Sequence, residues 1–262
     1  MSALLTKLHD DGRLEITLNR PEIHNAFDDQ LIAQLDAALA GAEQNPLVRV
    51  LVLRAAGRSF SAGADLAWMG RMAAASAEQN YADALAFARM MERLDRFPHP
   101  VVAVVQGAAF GGGVGLIAAC DIAIGSTAAE FALSEVRLGL IPAVISPYVI
   151  RAIGERASRR FFLTAEKFGA AEATRIGLLH QLVAPDELEP ALLRVLGDLA
   201  SGGPQAHAAA KSLLHDLREA TIEVDFAALT AGRIAAIRTA AEGQEGMRAF
   251  LEKRKPRWRR DA

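Results

Sequence analysis

A single cysteine, Cys120, among 262 residues leaves no intrachain disulfide to form, so a reducing compartment is the natural home. Neither sign of charge is in excess: 29 Lys and Arg face 31 Asp and Glu, a net of −2. That balance argues against a chain built to wrap nucleic acid. The one basic run, Lys253-Arg254-Lys255 with Arg257, Arg259 and Arg260, reads by itself as a solvated tail. Met1 to Asp11 holds no apolar run followed by a cleavage site, and acids come too early for an Arg-rich transit peptide. The expectation is a cytoplasmic protein. Tandem repeats and low-complexity linkers are missing as well.

One uncharged run, Pro100 to Cys120, is long enough to cross a bilayer and carries Gly107, Gly111 and Gly115 at small-xxx-small spacing. Gln106-Gly107 interrupts it, and Gly111-Gly112-Gly113 would weaken a continuous helix. A buried strand, a turn and a buried helix explain the same composition better.

What is present is a large supply of core: 52% hydrophobic residues against 23% charged, the balance of a globular protein. Leu14 to Leu18 alternates as a half-buried strand, and Asn19-Arg20-Pro21 ends it. Asp28 to Ala42 sets Leu31, Ile32, Leu35, Ala38 and Leu39 on one helical stripe. Val48 to Leu53 is a second strand, Ser76 to Phe97 a second helix, and Val101 to Val105 a strand covered on both faces. Strands alternating with helices predict an α/β core. After Gly202-Gly203-Pro204 the pattern is helical only, over 204–219, 224–241 and 242–253. The expected division is a core of 1–201 and a helical oligomerisation region of 202–262.

Two loops bare their backbone at strand ends. Gly111-Gly112-Gly113 opens a helix directly after a strand, presenting free N–H groups at the positive end of the helix dipole. Such a place binds an anion or a developing oxyanion. The dinucleotide fingerprint fails, because Leu116 stands where a third glycine belongs, and no Gly-Lys-Ser/Thr follows for a P-loop. Neither Ser59 nor Ser61 sits in a G-x-S-x-G elbow. The second loop, Ala62-Gly63-Ala64, follows the Val48–Leu53 strand. A third segment, Ala129 to Pro142, carries Glu135 among largely apolar neighbours, where burial would raise its pKa. The bland alternative is a surface carboxylate paired with Arg137. Glu130 reads as solvated, Asp121 as a fold anchor and Trp68 as core. The six histidines are scattered, without metal-ligand spacing.

Together these segments resemble the enoyl-CoA hydratase/isomerase (crotonase) family. The resemblance rests on Ser61-Ala-Gly-Ala-Asp65, on Gln106-Gly-x3-Gly-Gly-Gly113 with Cys120-Asp121, on Asn19-Arg-Pro21 with Asn25-Ala26, and on Glu245 to Arg254. It runs from about residue 5 to residue 258. It implies a crotonase-like ββα spiral core with a C-terminal helical region, and an acyl-CoA substrate, with no cofactor beyond the CoA it carries. By the same resemblance, the N–H groups of Ala64 and Gly112 form an oxyanion hole, each such donor typically worth about 3 kcal/mol, and Glu135 is the acid/base residue. Ala26, Ala62, Asp65 and Leu66 would line the CoA path. Phe250 and Lys253 would reach the CoA of a neighbouring subunit, in trimers paired into hexamers.

One position departs from that pattern. Hydratases of the family commonly carry a second, water-orienting glutamate where this chain has Gly115. Water held in the space Gly115 leaves, or a carboxylate on the substrate, would then take its place. The stretches Ala62 to Met69 and Leu140 to Arg156 resemble bacterial methylglutaconyl-CoA hydratases and their isoprenoid-chain relatives, which points to hydration of 3-methylglutaconyl-CoA or a related branched enoyl-CoA in leucine or isoprenoid catabolism. The alternatives are an enoyl-CoA isomerase working with Glu135 alone, and a non-catalytic subunit of the same fold.

Overall fold

The structure, a computed structural model, describes residues 2–220 and 224–259. Arg260 of the basic run lies outside them. The chain divides into two compact units, one of residues 1–97 and 101–192, the other of residues 98–100 and 193–262.

The first unit follows a repeating path. Its strands are β1 (Leu4–Leu8), β2 (Arg13–Leu18), β3 (Val50–Ala55), β4 (Ser59–Ser61), β5 (Val101–Val105), β6 (Ala108–Phe110), β7 (Ile122–Ser126), β8 (Glu130–Ala132), β9 (Phe168–Gly169) and β10 (Gln181–Val183). Its helices are α1 (Asp29–Glu43), α2 (Leu66–Ala73), α3 (Ala77–Asp95), α4 (Gly112–Ala119), α5 (Ser146–Thr164) and α6 (Ala170–Arg175), and α7 (Leu188–Ser201) runs from this unit into the second. A six-stranded sheet has the order β1-β2-β3-β5-β7-β10, and a four-stranded sheet the order β4-β6-β8-β9. Three times the chain leaves a long strand of the first sheet, adds a short strand to the second, and then turns into a helical segment: β3-β4-α2, β5-β6-α4, and β7-β8 into the 3-10 turn Glu135–Leu138. The expected ββα core is therefore present.

Local chemistry accounts for the elements. The β5 run Val101–Val105, between the parallel strands β3 and β7, is buried at every position, so both of its faces are covered and it lacks alternation. In β2, next to the edge strand β1, burial alternates. Asp28 caps α1 by accepting from the Leu31 N–H, and Leu31, Ile32, Leu35 and Leu39 are its buried stripe. Ser76 and Gln79 close a capping box at the start of α3. Asp121 accepts from the Val101 N–H at 2.7 Å while its own N–H donates to Val101 O at 3.0 Å; it anchors the start of β5 to β7. Phe161, Phe168 and Phe131 stack in series, with centroids 4.1 and 5.5 Å apart. Residues 100–120 form β5, β6 and α4, and no helix among the described residues is long and apolar enough to cross a membrane.

The second unit is helical: the end of α7, then α8 (Pro204–Glu219), α9 (Phe226–Thr239) and α10 (Ala241–Leu251). Glu242 accepts from the Gln205 and Ala206 N–H groups at the start of α8. Part of the basic run is tied down rather than free: Arg254 forks onto Glu245, whose carboxyl it holds down to about 2.

Candidate active site

β4, β6 and β8 are adjacent and parallel, in register Ser61↔Ala109↔Phe131. Their carboxyl ends therefore lie side by side, and the three singled-out segments leave from those ends. Strand carboxyl ends are where α/β sheets commonly bind ligands. After β6 the Gly111 N–H donates to Ala132 O at 2.9 Å, tying the glycine loop to the end of β8. Gly111 has φ 50° and ψ −116°, a conformation open to glycine alone. Gly63, after β4, has φ 88° and abuts it: a Cβ on Gly63 would stand 3.3 Å from Phe110 O, and one on Gly111 4.0 Å from Gly63 Cα.

Ala64 and Gly112 are the next residues of these abutting loops. Ala64 pairs with Phe27 in a parallel bridge, but the bonds are made by Gly63 O and the Asp65 N–H, so the Ala64 N–H stays outside the bridge. Gly112 is the first residue of α4, where an N–H has no intrahelical acceptor. Two unengaged amides thus sit on neighbouring loops.

Glu135 opens the 3-10 turn after β8. Its Oε2 is buried without a hydrogen-bond partner, and its Oε1 lies 3.1 Å from where a Cβ on Gly111 would be. Burial pushes its carboxyl above the usual glutamate range, partly offset by a hydrogen bond from its own backbone N–H. The carboxylate is not a surface ion pair with Arg137. Glu130, by contrast, faces outward and pairs with Lys167 at 2.7 Å.

The space beside Gly115 differs from expectation. Gly115 is buried, and a Cβ there would fall within the Ile145 side chain, 2.7 Å from its Cβ, and 3.5 Å from Met91 Cε. Ile145 is 2% exposed. That volume is filled by hydrocarbon and is no water site. Above it, a Cβ on Gly112 would meet Phe87 Cζ at 3.2 Å and Phe27 Cδ2 at 3.4 Å. Phe27, Phe87, Met91 and Ile145 thus pack apolar side chains against Gly112 and Gly115 of α4. Their packing there was not legible from the sequence.

Of the residues expected along the CoA path, Ala62, Asp65 and Leu66 follow β4, and Ala26 precedes Phe27, which bridges to Ala64. The Ala62 N–H donates to His24 O, and Ala26 is buried. Arg20, not singled out by sequence, donates to Ala26 O at 3.2 Å and pairs with Asp28 at 2.7 Å and Asp65 at 3.7 Å. Asp65 caps α2, accepting from the Ala67 and Trp68 N–H groups, so its carboxylate already has structural work. Leu66 is 84% exposed at the start of α2. Trp68 is buried in the core, its Nε1 donating to Asp83. Phe250 and Lys253 are exposed at the end of α10 and just after it, in the second unit. A cavity of about 1080 Å³ lies elsewhere, along α5 and α6. Two of its arginines, Arg160 and Arg175, are paired with Glu166 and Glu172, and the Glu135 segment does not line it.

The fold is thus one of repeated ββα turns, with the buried Glu135 carboxyl beside the glycine loop that opens α4. Residues 10–261 match the enoyl-CoA hydratase/isomerase family, and the chain belongs to it. An enoyl-CoA hydratase from Shewanella pealeana superposes with a TM-score of 0.94 at 47% identity, over 98% of this chain and 96% of that one. Pseudomonas aeruginosa AtuE does so with a TM-score of 0.94 at 40% identity, over 99% and 100%. A crotonyl-CoA hydratase from Syntrophomonas wolfei is 32% identical over 91% of each chain. The protein is a hydro-lyase of the enoyl-CoA hydratase type that acts on acyl-CoA.

Proposed function

We propose that the chain adds water across the 2,3 double bond of a branched enoyl-CoA such as 3-methylglutaconyl-CoA, with Glu135 as the only side-chain acid/base. The observation that carries this reading is the buried, partnerless Glu135 carboxyl against Gly111, which precedes Gly112 and abuts Gly63, the residue before Ala64. The Glu135 carboxylate takes a proton from water as its oxygen adds to C3, and the electron pair of the double bond moves onto the thioester oxygen. The Ala64 and Gly112 N–H groups stabilise that enolate. Collapse of the enolate takes the proton back from Glu135 onto C2, so both atoms of water's O–H bond are accounted for. With Ile145 over Gly115, no second carboxylate from that position orients the water. In this reading the water is oriented by a carboxylate carried on the substrate itself, as an acidic, branched acyl group would supply.

The same lone carboxylate favours a second reading, isomerisation: Glu135 removes a proton from C2 of a 3-enoyl-CoA and returns it to C4. One assay separates them. Purified protein and its Glu135→Gln variant are incubated with 3-methylglutaconyl-CoA, crotonyl-CoA and a 3-enoyl-CoA. Hydration confined to the branched, carboxylated substrate supports the first reading, and isomerisation alone overturns it. We also propose that the CoA path runs along Ala26, Ala62 and Leu66, and that a second copy covers exposed Phe226, Ile234, Met247, Phe250 and Leu251. A monomer in sedimentation would remove that last point. A reducing, cytoplasmic setting suits the lone buried Cys120.

A further inference from the structure

Arg20 follows β2 and lies where two loops meet. Its Nη1 pairs with Asp28 at 2.7 Å and donates to Ala26 O at 3.2 Å, and its Nη2 faces Asp65 at 3.7 Å. Both aspartates divide their oxygens in the same way. Asp28 Oδ1 accepts from the Leu31 N–H at the start of α1, and Asp65 Oδ1 accepts from the Ala67 and Trp68 N–H groups at the start of α2. Each Oδ2 is left to the guanidinium. Between the two caps the backbones are laced together. The Phe27 N–H donates to Gly63 O at 2.6 Å and the Asp65 N–H to Phe27 O at 2.7 Å, and the Ala62 N–H bonds His24 O at 2.9 Å. Ala64 is the residue these bonds enclose, held on both sides while its own N–H takes no part in them. The three charged side chains are mostly shielded from solvent, where ion pairs are screened less than at the surface. Arginine suits the place because its fork addresses several acceptors with separate nitrogens, where a lysine brings one.

We propose that Arg20 is a positioning residue: it clamps residues 26–28 to residues 63–65 and so fixes the direction of the Ala64 N–H as an oxyanion donor. This rests on the acyl-CoA reading of the site. Arg20 acts through Asp65 and the Phe27–Ala64 bridge and needs no contact with substrate. A displaced amide still admits the thioester but meets the enolate poorly, so the loss falls on kcat and spares ground-state binding.

Three readouts separate these effects in wild type, Arg20→Gln, Arg20→Lys and Asp65→Asn. Calorimetry with butyryl-CoA, a saturated ligand, reports ground-state binding. Acetoacetyl-CoA, whose enolate absorbs in the near ultraviolet, reports the oxyanion hole when its bound form is titrated with pH. Turnover is followed on the thioester that the wild type converts. Arg20→Gln should lower kcat about tenfold and raise the pH midpoint of enolate formation by about one unit, with the butyryl-CoA Kd within about twofold. Arg20→Lys should move the same way by less. Adding Asp65→Asn to Arg20→Gln should cost no more than Arg20→Gln alone. Arg71→Gln, which removes an exposed pair with Asp29 between the same two helices, should change nothing. If Arg20→Gln does not fold, Asp65→Asn, whose amide oxygen keeps the α2 cap, decides by the same split. A kcat and an enolate midpoint unchanged in Arg20→Gln and Asp65→Asn overturn the proposal and leave the acyl-CoA reading standing. So does a loss of butyryl-CoA binding as large as the loss in kcat. A wild type that forms no enolate removes the oxyanion hole and the proposal together.

Discussion

Glu135 should cost the fold stability at the pH where it works, and Glu135→Gln should expose that cost. Its Oε2 is buried with no partner, and burial raises its pKa above that of the unfolded chain. The sign follows from linkage. Below the unfolded pKa, about 4.3 for a glutamate, the carboxyl is protonated in both states and the site costs nothing extra. As pH rises through the higher folded pKa, the native state must carry a buried charge, and stability is lost. Glutamine keeps the shape and never ionises. Both side chains leave a buried polar group unpaired, so the difference between them is the cost of the charge alone, and a chain of this size gains about 2–4 °C in Tm per kcal/mol. Glu135→Gln should therefore melt a few degrees above wild type at pH 8, with the difference closing toward pH 4. Activity should move the other way, falling about 10²–10⁴-fold, the usual worth of a positioned acid/base. Paired thermal melts at pH 4 and 8, with turnover on the same samples, read both effects. A variant no more stable at pH 8 than wild type, or a gain equal at both pH values, would refute the reasoning.

Other outcomes follow from the same geometry. The hydration kcat/KM should fall on the acid side with an apparent pKa above that of an ordinary glutamate, a limb that Glu135→Gln abolishes in a pH–rate profile. Gly111→Ala forces a side chain into φ 50°, ψ −116° against Glu135 Oε1; urea unfolding should show a loss of about 2–4 kcal/mol, with activity lower still. Asp65→Ala should lower stability by about 1 kcal/mol through the lost α2 cap, while Asp65→Asn, which keeps the cap, should leave the KM for acyl-CoA unchanged. A rise in KM with Asp65→Asn would return that carboxylate to the CoA path. Asn25, buried, donates to Ala56 O and Ser59 O and accepts from the Arg20 N–H; Asn25→Ala should destabilise by about 2–4 kcal/mol in the same unfolding assay.

Much of this was legible along the chain. Val101–Val105 is a strand over the bounds its β-branched run predicts, and the stripe Leu31, Ile32, Leu35, Leu39 is the buried face of α1. Local pattern suffices there because periodicity alone decides which face meets the core. The short strands β4, β6 and β8 were not legible, being three residues each, too brief for alternation to register. The helix α5 was missed as well, since Gly154 at φ 75° interrupts its pattern.

The open backbone at Gly63 and Gly111 and the chemistry of Glu135 were determined by the sequence, because glycine's freedom and a carboxyl's titration belong to the residues themselves. That the three segments meet depended on β4, β6 and β8 lying side by side in register, a pairing between residues some fifty and then twenty positions apart. The meaning of Gly115 was also decided in three dimensions. From the sequence it was an absence where a second glutamate would stand. In the fold it is the floor on which Ile145 rests, because whether a missing side chain leaves water or hydrocarbon depends on what packs into the space, and that neighbour is thirty residues away.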